Sequence, residues 1–235
     1  MIASFQLSLR DRTLAGAIHR PPDSVRPSWV VLCHGLFSSM DSEKFTGLAG
    51  LLCRCGIAAL RFDFSGCGAS TGNIADTTVS RRLQELEAVV SFADGQEELG
   101  RACGLMGSSL GGFVGLLFAE RRRFKALSLW ATPCDLAVVK DNIPPQDLQR
   151  LKPEFFSDAA RYCLDARRVE IPLQIIHGSR DEIVPVSHAQ TLYAQCRLNR
   201  QRIIIDGADH SISDPCHRSK ALEACCAWFQ QYITA

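Results

Sequence analysis

A serine flanked by glycines is the first candidate for chemistry in this sequence. Ser109 is the central residue of the pentapeptide Gly107-Ser108-Ser109-Leu110-Gly111. Apolar runs precede it at 103–106 and follow it at 113–119, a pattern that predicts a strand, a sharp turn and a helix. Such a turn exposes the hydroxyl of a nucleophilic serine. The alternative is a helix-capping serine, a role that Ser108 or Ser109 would serve equally well.

A serine hydroxyl is a weak nucleophile and needs a base within hydrogen-bond reach. Of the six histidines, His210 is the best candidate, because it lies in a loop after the last predicted strand. In a parallel sheet that loop lies at the same edge as the turn that holds Ser109. His34 and His177 end predicted strands and are each followed by glycine, a position where a histidine is more often structural.

The base in turn needs an acid that fixes its tautomer and stabilises the imidazolium. Asp181 follows the apolar run at 173–177, so it also lies at the carboxyl edge of the predicted sheet. We predict that Asp181 is this acid. Asp135 and Asp209 are the alternatives, although Asp209 adjoins His210 in the chain and reaches the imidazole only with an awkward backbone.

An oxyanion that forms during attack by Ser109 needs hydrogen-bond donors, each worth about 3 kcal/mol in well-studied enzymes. The backbone amide of Leu110 follows the nucleophile and is the first predicted donor. The second is predicted in the loop after Trp29–Cys33, at the amide of Leu36, with Phe37 as the alternative. A tight turn without this role is the other interpretation of that loop.

Strands and helices alternate along the chain. Period-two alternation at 4–10, followed by Thr13–His19, predicts an antiparallel hairpin. Trp29–Cys33 is apolar throughout, which indicates a strand buried on both faces. Further apolar runs lie at 57–62, 103–106, 126–131, 173–177 and 202–205. With amphipathic helices between them, these runs predict an α/β fold, in which a mostly parallel sheet is covered by helices on both faces.

The chain is predicted to form a single domain over residues 1–235, because no linker-like stretch divides it. The segment 134–170 interrupts the alternation and is long for a simple connection. It is therefore predicted to be a small cap insertion. The aromatic residues Phe155, Phe156 and Tyr162 in this cap either line an acyl or aromatic pocket or anchor the cap to the body. Phe37 is a further candidate for that pocket.

Composition excludes several function classes. The formal net charge is +1, which offers no global field for nucleic acid or anionic lipid. The eleven cysteines are scattered and lack zinc-ligand spacing, so we expect reduced thiols and no metal site. The glycine-rich segment 63–70 lacks a P-loop lysine and is interpreted as a rigid turn behind the Leu36 loop, not a nucleotide site. With no apolar signal-peptide core and no apolar run long enough to span a membrane, the expected location is the cytoplasm.

Five segments together resemble the α/β-hydrolase superfamily from about residue 14 to residue 232. They are His34-Gly35, residues 63–70, residues 107–111, Asp181 with Pro185, and His210. The short cap and the form of residues 63–70 are similar to cinnamoyl/feruloyl-esterase-like and serine aminopeptidase-like hydrolases. The resemblance implies an eight-stranded sheet with the second strand antiparallel, and acyl-enzyme chemistry without a cofactor.

The predicted function is that of a serine hydrolase of the carboxylesterase type, acting on a small-molecule acyl or aromatic ester. A thioesterase or aminopeptidase with the same triad is the nearest alternative, and a haloperoxidase-like or C–C-bond hydrolase stays open. A non-catalytic binding protein on this scaffold belongs to a different class, since a fold does not by itself fix an activity.

Overall fold

The structure is a computed structural model that describes residues 1–101 and 103–233. Residues 102, 234 and 235 of the domain predicted over 1–235 lie outside the described residues. The same holds for the side chain of Val139 in the predicted cap.

Over the described residues, eight strands form one sheet in the order β1-β2-β4-β3-β5-β6-β7-β8. The strands are β1 (Ile2–Ser8), β2 (Thr13–His19), β3 (Trp29–Cys33), β4 (Ala58–Phe62), β5 (Cys103–Ser108), β6 (Ala126–Trp130), β7 (Leu173–Gly178) and β8 (Arg200–Ile205). Strand β2 is antiparallel to both of its neighbours, and the pairs that join β3 to β8 are parallel. The predicted mostly parallel, eight-stranded sheet with an antiparallel second strand is confirmed.

Burial explains which strands the sequence pattern located well. Every residue of the central strand β3 is buried, as its uninterrupted apolar run predicts. Strand β1 lies at the edge of the sheet, and its residues alternate between exposed and partly buried. It begins at Ile2, two residues earlier than the alternation predicted, because its pairing with β2 extends to Ile2 opposite His19. The Leu9 amide then closes the turn by donating to Arg12 O at 2.7 Å.

Helices cover both faces of the sheet, as predicted. The described helices are α1 (Glu43–Arg54), α2 (Val79–Asp94), α3 (Leu110–Ala119), α4 (Leu136–Val139), α5 (Pro145–Leu148), α6 (Pro153–Ala159), α7 (Ser187–Gln195) and α8 (Pro215–Ile233). Apolar side chains of α1 and α8 pack into one core, and those of α2, α3 and α7 pack into a second core on the opposite face. Among the described helices, none is both long enough and apolar enough to cross a bilayer.

The segment predicted as a cap, 134–170, contains the short helices α4, α5 and α6. Helix α6 is attached to the start of α2, where Ser80 Oγ donates to Asp158 Oδ1 at 2.5 Å. The hydroxyl of Tyr162 lies 2.7 Å from the same Ser80 oxygen. These contacts fix one end of the segment to the body of the protein.

Candidate active site

Ser109 occupies a strained backbone conformation between β5 and α3. Its φ is +53°, in the left-handed region that a residue with a side chain rarely adopts. Its amide donates to Trp130 O at 2.8 Å, which ties the turn to the neighbouring strand. A Cβ added at Gly111 would lie 2.2 Å from Cys33 O, and one at Gly107 would lie 2.6 Å from Gly111 O. The tight turn therefore requires glycine on both sides of Ser109.

Two side chains from later loops complete a chain of hydrogen bonds to this serine. His210 Nε2 lies 3.1 Å from Ser109 Oγ, and His210 Nδ1 lies 2.9 Å from both carboxylate oxygens of Asp181. Because a carboxylate only accepts, Nδ1 carries the proton, and Nε2 is left as an acceptor toward the serine hydroxyl. The structure thus brings together the three side chains that the sequence proposed as nucleophile, base and acid.

Asp181 is held as an anion by its surroundings. Its side chain has no solvent exposure, whereas that of His210 is 17% exposed. Burial alone would raise the pKa of Asp181. Hydrogen bonds from His177, from His210 and from the amide of Val184 outweigh burial and hold this pKa well below its usual range. The ionised carboxylate fixes the imidazole in the tautomer that can accept the proton of Ser109.

His177 is a partner of Asp181 that the sequence pattern did not identify. Its Nε2 lies 3.0 Å from Asp181 Oδ2 and 2.8 Å from Val184 O. The ring is fully buried at the end of β7. The sequence indicated only a structural role there, and the contact with Asp181 is consistent with a role in holding the carboxylate.

The alternative acids lie elsewhere. Asp135 caps α4 by accepting from the Ala137 amide at 2.8 Å. Asp209 accepts from the amide of Ser213 at 2.8 Å and from its hydroxyl. Among the described residues, neither carboxylate bonds to His210.

The two amides proposed as oxyanion donors border the same cavity as Ser109. Leu110 begins α3, and Leu36 lies in the loop after β3. Within the described part of the chain, neither amide donates to a protein acceptor. The Phe37 amide also lacks an acceptor there, and its φ is +56°. Donors left free beside a nucleophile are available to a developing negative charge.

A buried polar network fixes the loop that carries Leu36. Arg82 is fully buried, and its guanidinium donates to His34 O at 3.4 Å and to Gly35 O at 3.3 Å. His34 Nδ1 donates to Gly35 O at 2.8 Å, and His34 Nε2 accepts from the Phe64 amide at 3.0 Å. The turn at 63–70 therefore packs behind this loop. No sequence pattern indicated the part that Arg82 plays.

An apolar cavity of about 220 Å³ opens beside Ser109 and His210. Five of its lining residues belong to the cap helices or the turns between them, and the others include both aromatic and aliphatic side chains. The cavity is lined by Leu36, Phe37, Ser109, Leu110, Pro133, Leu136, Ile143, Pro144, Asp147, Phe155, Ile183, Val184 and His210. The predicted cap segment thus forms part of the wall over the candidate nucleophile.

Of the four aromatic residues proposed for a pocket, the structure places Phe37 and Phe155 in this cavity. Phe156 does not line it and instead packs under the ammonium of Lys140, 4.6 Å from the ring centroid. Tyr162 lies at a different surface, where its hydroxyl bonds to Ser80. Tyr162 therefore anchors the cap to the body, which was the second interpretation of these side chains. The ring contacts of Phe156 with Lys140 and Phe155 lie within the cap itself.

Comparison with known proteins places the chain among hydrolases. The model of the family described as serine aminopeptidase, S33, matches residues 26–159, which is more than half of the chain. The human protein named palmitoyl-protein thioesterase ABHD10, mitochondrial, is 29% identical over 182 residues, or 66% of this chain and 58% of that protein. The chain thus spans less than two thirds of the length of this relative.

Solved structures show the same fold. Est1E from Butyrivibrio proteoclasticus, solved with ferulic acid bound, superposes with a TM-score of 0.88 at 22% identity and covers 98% of this chain and 100% of its own. The esterase domain of a Rhodothermus marinus protein has a TM-score of 0.80 at 26% identity and covers 99% of each chain. These matches confirm the predicted α/β-hydrolase fold and the resemblance to feruloyl-esterase-like and serine aminopeptidase-like hydrolases.

Proposed function

The chain belongs to the serine aminopeptidase S33 family of α/β hydrolases, and on this basis we propose that it is a serine hydrolase that cleaves carboxylic esters. The observation that carries the proposal is the chain of hydrogen bonds from Ser109 through His210 to Asp181, beside an apolar cavity. Esterase and thioesterase relatives support the same class of reaction.

In the proposed reaction, His210 Nε2 takes the hydroxyl proton as Ser109 Oγ attacks the acyl carbon. The amides of Leu36 and Leu110 donate to the oxyanion. We prefer Leu36 to Phe37 because it follows Gly35, where an added Cβ would lie 3.1 Å from Ser109 Cβ. The bond from the acyl carbon to the leaving oxygen then breaks, and His210 returns its proton to that oxygen. Water, deprotonated by His210, releases the acid and restores Ser109.

The cavity supports a short acyl chain or a single aromatic ring as the acyl group. Its volume of about 220 Å³ lies below the roughly 300–1,000 Å³ that is usual for sites of drug-sized ligands. Its lining is predominantly apolar, and Phe155 and Phe37 provide aromatic surface. A cytoplasmic location and a single domain over 1–235 remain predictions.

A thioester is the second candidate substrate. The name of the human relative describes it as a palmitoyl-protein thioesterase. The proposed steps are the same for a thioester, with the leaving sulfur in place of the oxygen. A fully extended palmitoyl chain is too large for a cavity of about 220 Å³. We therefore expect that a thioesterase with this cavity prefers shorter acyl groups.

The proposal is tested with a panel of p-nitrophenyl esters, acyl-CoA thioesters and aminoacyl amides. We expect the wild-type protein to hydrolyse short esters and Ser109→Ala to lose this activity. Ser219→Ala is the matched control, because this exposed serine lies on α8, where its hydroxyl donates to Glu223 Oε1. Turnover of thioesters alone or of amides alone would contradict the esterase proposal and favour a thioesterase or an aminopeptidase. Absence of turnover with every substrate class would favour a non-catalytic binding protein.

A further inference from the structure

A second cavity, of about 290 Å³, also borders Ser109. It shares Leu36, Ser109 and His210 with the apolar cavity, but none of the described cap residues lines it. Its other walls include the start of α1 and the loop that leads into α8, and most of the side chains there are hydroxyl-bearing or charged. A substrate held at Ser109 therefore has two different environments within reach.

Lys44 supplies an unpaired cation in this second cavity. The residue is partly buried, and its Nζ donates to Ser108 Oγ at 3.1 Å, one residue before the candidate nucleophile. Among the described residues, no carboxylate forms an ion pair with it. By contrast, the other lining cation, Arg218, is paired with Glu43 at 2.5 Å and donates to backbone carbonyls. Among the described residues, the ammonium of Lys44 thus keeps N–H donors that no protein acceptor engages.

Further donors lie beside Lys44 at the start of α1. Ser42 precedes this 12-residue helix, yet its hydroxyl makes no cap bond to the helix. That oxygen is shielded from solvent and has no hydrogen-bond partner among the described residues. The first amides of a helix also lack acceptors within the helix, and its dipole favours negative charge there. The carboxylates close to Lys44 are engaged elsewhere, Glu43 by Arg218 and Asp209 by Ser213.

We propose that this second cavity binds an anionic group, a carboxylate or a phosphate, on the leaving-group side of the ester, and that Lys44 is its principal contact. The inference rests on the proposed function. The two arms of an ester diverge at the acyl carbon, and the apolar cavity suits the acyl arm. The leaving-group arm then extends into the polar cavity, where His210 can protonate the leaving oxygen.

The test uses a matched pair of aryl acetates, the acetyl ester of 4-hydroxybenzoic acid and the methyl ester of that compound. The first carries a carboxylate on the leaving group and the second does not. The ratio of kcat/KM for the two esters is measured for wild type, Lys44→Met, Lys44→Arg and Lys220→Met. Comparing ratios between variants cancels the intrinsic difference in reactivity of the esters. Lys220 is an exposed lysine of α8 that lies outside both cavities.

We expect the preference for the anionic ester to fall about tenfold or more in Lys44→Met, as for the loss of one charged hydrogen bond. Lys44→Arg and Lys220→Met should keep most of the preference. The preference should also decline as the pH rises above about 8. Burial lowers the pKa of Lys44 to about 8, opposed by Asp209 and Asp181 and assisted by Arg218.

Each contrary outcome has a separate meaning. If wild type hydrolyses neither ester, the proposed function fails. If it hydrolyses both and Lys44→Met keeps the wild-type ratio while folded, the function stands and this inference is overturned. A second pair, phenyl hydrogen succinate and phenyl butyrate, places the charge on the acyl arm. An effect of Lys44→Met on that pair alone would overturn the assignment to the leaving group.

Discussion

Replacing Asp181 by asparagine tests the electrostatic reasoning about the candidate site. The carboxylate accepts from the amides of Ile183 and Val184, at 3.0 and 2.7 Å, through one oxygen. The other oxygen lies 3.0 Å from His177 Nε2, and both oxygens lie 2.9 Å from His210 Nδ1. Every one of these partners is a donor. An asparagine has a single acceptor oxygen, so its NH2 group must face at least one of them.

The favoured orientation keeps the asparagine oxygen toward the two backbone amides and turns its NH2 group toward the histidines. His210 then has to present an unprotonated Nδ1, which moves its proton to Nε2 and removes the acceptor for Ser109. We expect kcat to fall about 10⁴-fold, the size found when a triad histidine is forced into the wrong tautomer. This corresponds to about 5.4 kcal/mol of activation free energy.

The assay measures kcat for p-nitrophenyl acetate with wild type, Asp181→Asn and Asp135→Asn, with circular dichroism melts to verify folding. Asp135→Asn is the matched control, because asparagine also caps a helix, and we expect its kcat to stay within about twofold of wild type. A folded Asp181→Asn protein that keeps a tenth or more of the wild-type kcat would refute the reasoning. A large loss in Asp135→Asn alone would move the acid to that residue.

Three further predictions address the loop that carries Leu36, the tight turn around Ser109, and the buried His34. Arg82→Met should lower kcat roughly tenfold and also lower Tm, since it frees the Leu36 loop and removes buried hydrogen bonds to the carbonyls of His34 and Gly35; an unchanged kcat would contradict this role. Gly111→Ala should destabilise the protein by about 2 kcal/mol or more in urea unfolding, whereas Gly50→Ala in α1, whose added Cβ lies 3.6 Å from its nearest neighbour, should not. Lowering the pH from 7 to 5 should reduce Tm by roughly 5 °C. Burial first, and then the charge of Arg82, lower the pKa of His34 to about 3, so the unfolded chain gains the proton from about pH 6.5 downward. A flat Tm over this pH range would count against a buried neutral His34.

The sequence predicted the parts of the site that follow from chain order. A strand, a glycine-bounded turn and a helix place Ser109, and loops after parallel strands must emerge at one edge of the sheet. Because Asp181 and His210 each follow such a strand, their approach to Ser109 required no knowledge of packing. The sheet was predictable because its central strands are rich in apolar residues and buried along their whole length.

The remaining features depend on tertiary contacts between distant segments. Arg82 reaches the loop after β3 from a helix more than forty residues later in the chain, and Lys44 meets Ser108 from α1. Neither contact leaves a periodic pattern in the sequence. Tyr162 was equally consistent with a pocket wall and with an anchor until its bond to Ser80 was seen. The start of β1 was misplaced because an edge strand with one partly buried face specifies its ends weakly.

The central claim is that Ser109 is an activated nucleophile. The most direct measurement treats the folded wild-type protein with a fluorophosphonate probe and locates the adduct by peptide mass spectrometry. The account predicts one adduct, on Ser109, with strongly reduced labelling in Asp181→Asn and none in Ser109→Ala. Absence of an adduct in folded wild-type protein, or labelling that persists in Ser109→Ala, would contradict it.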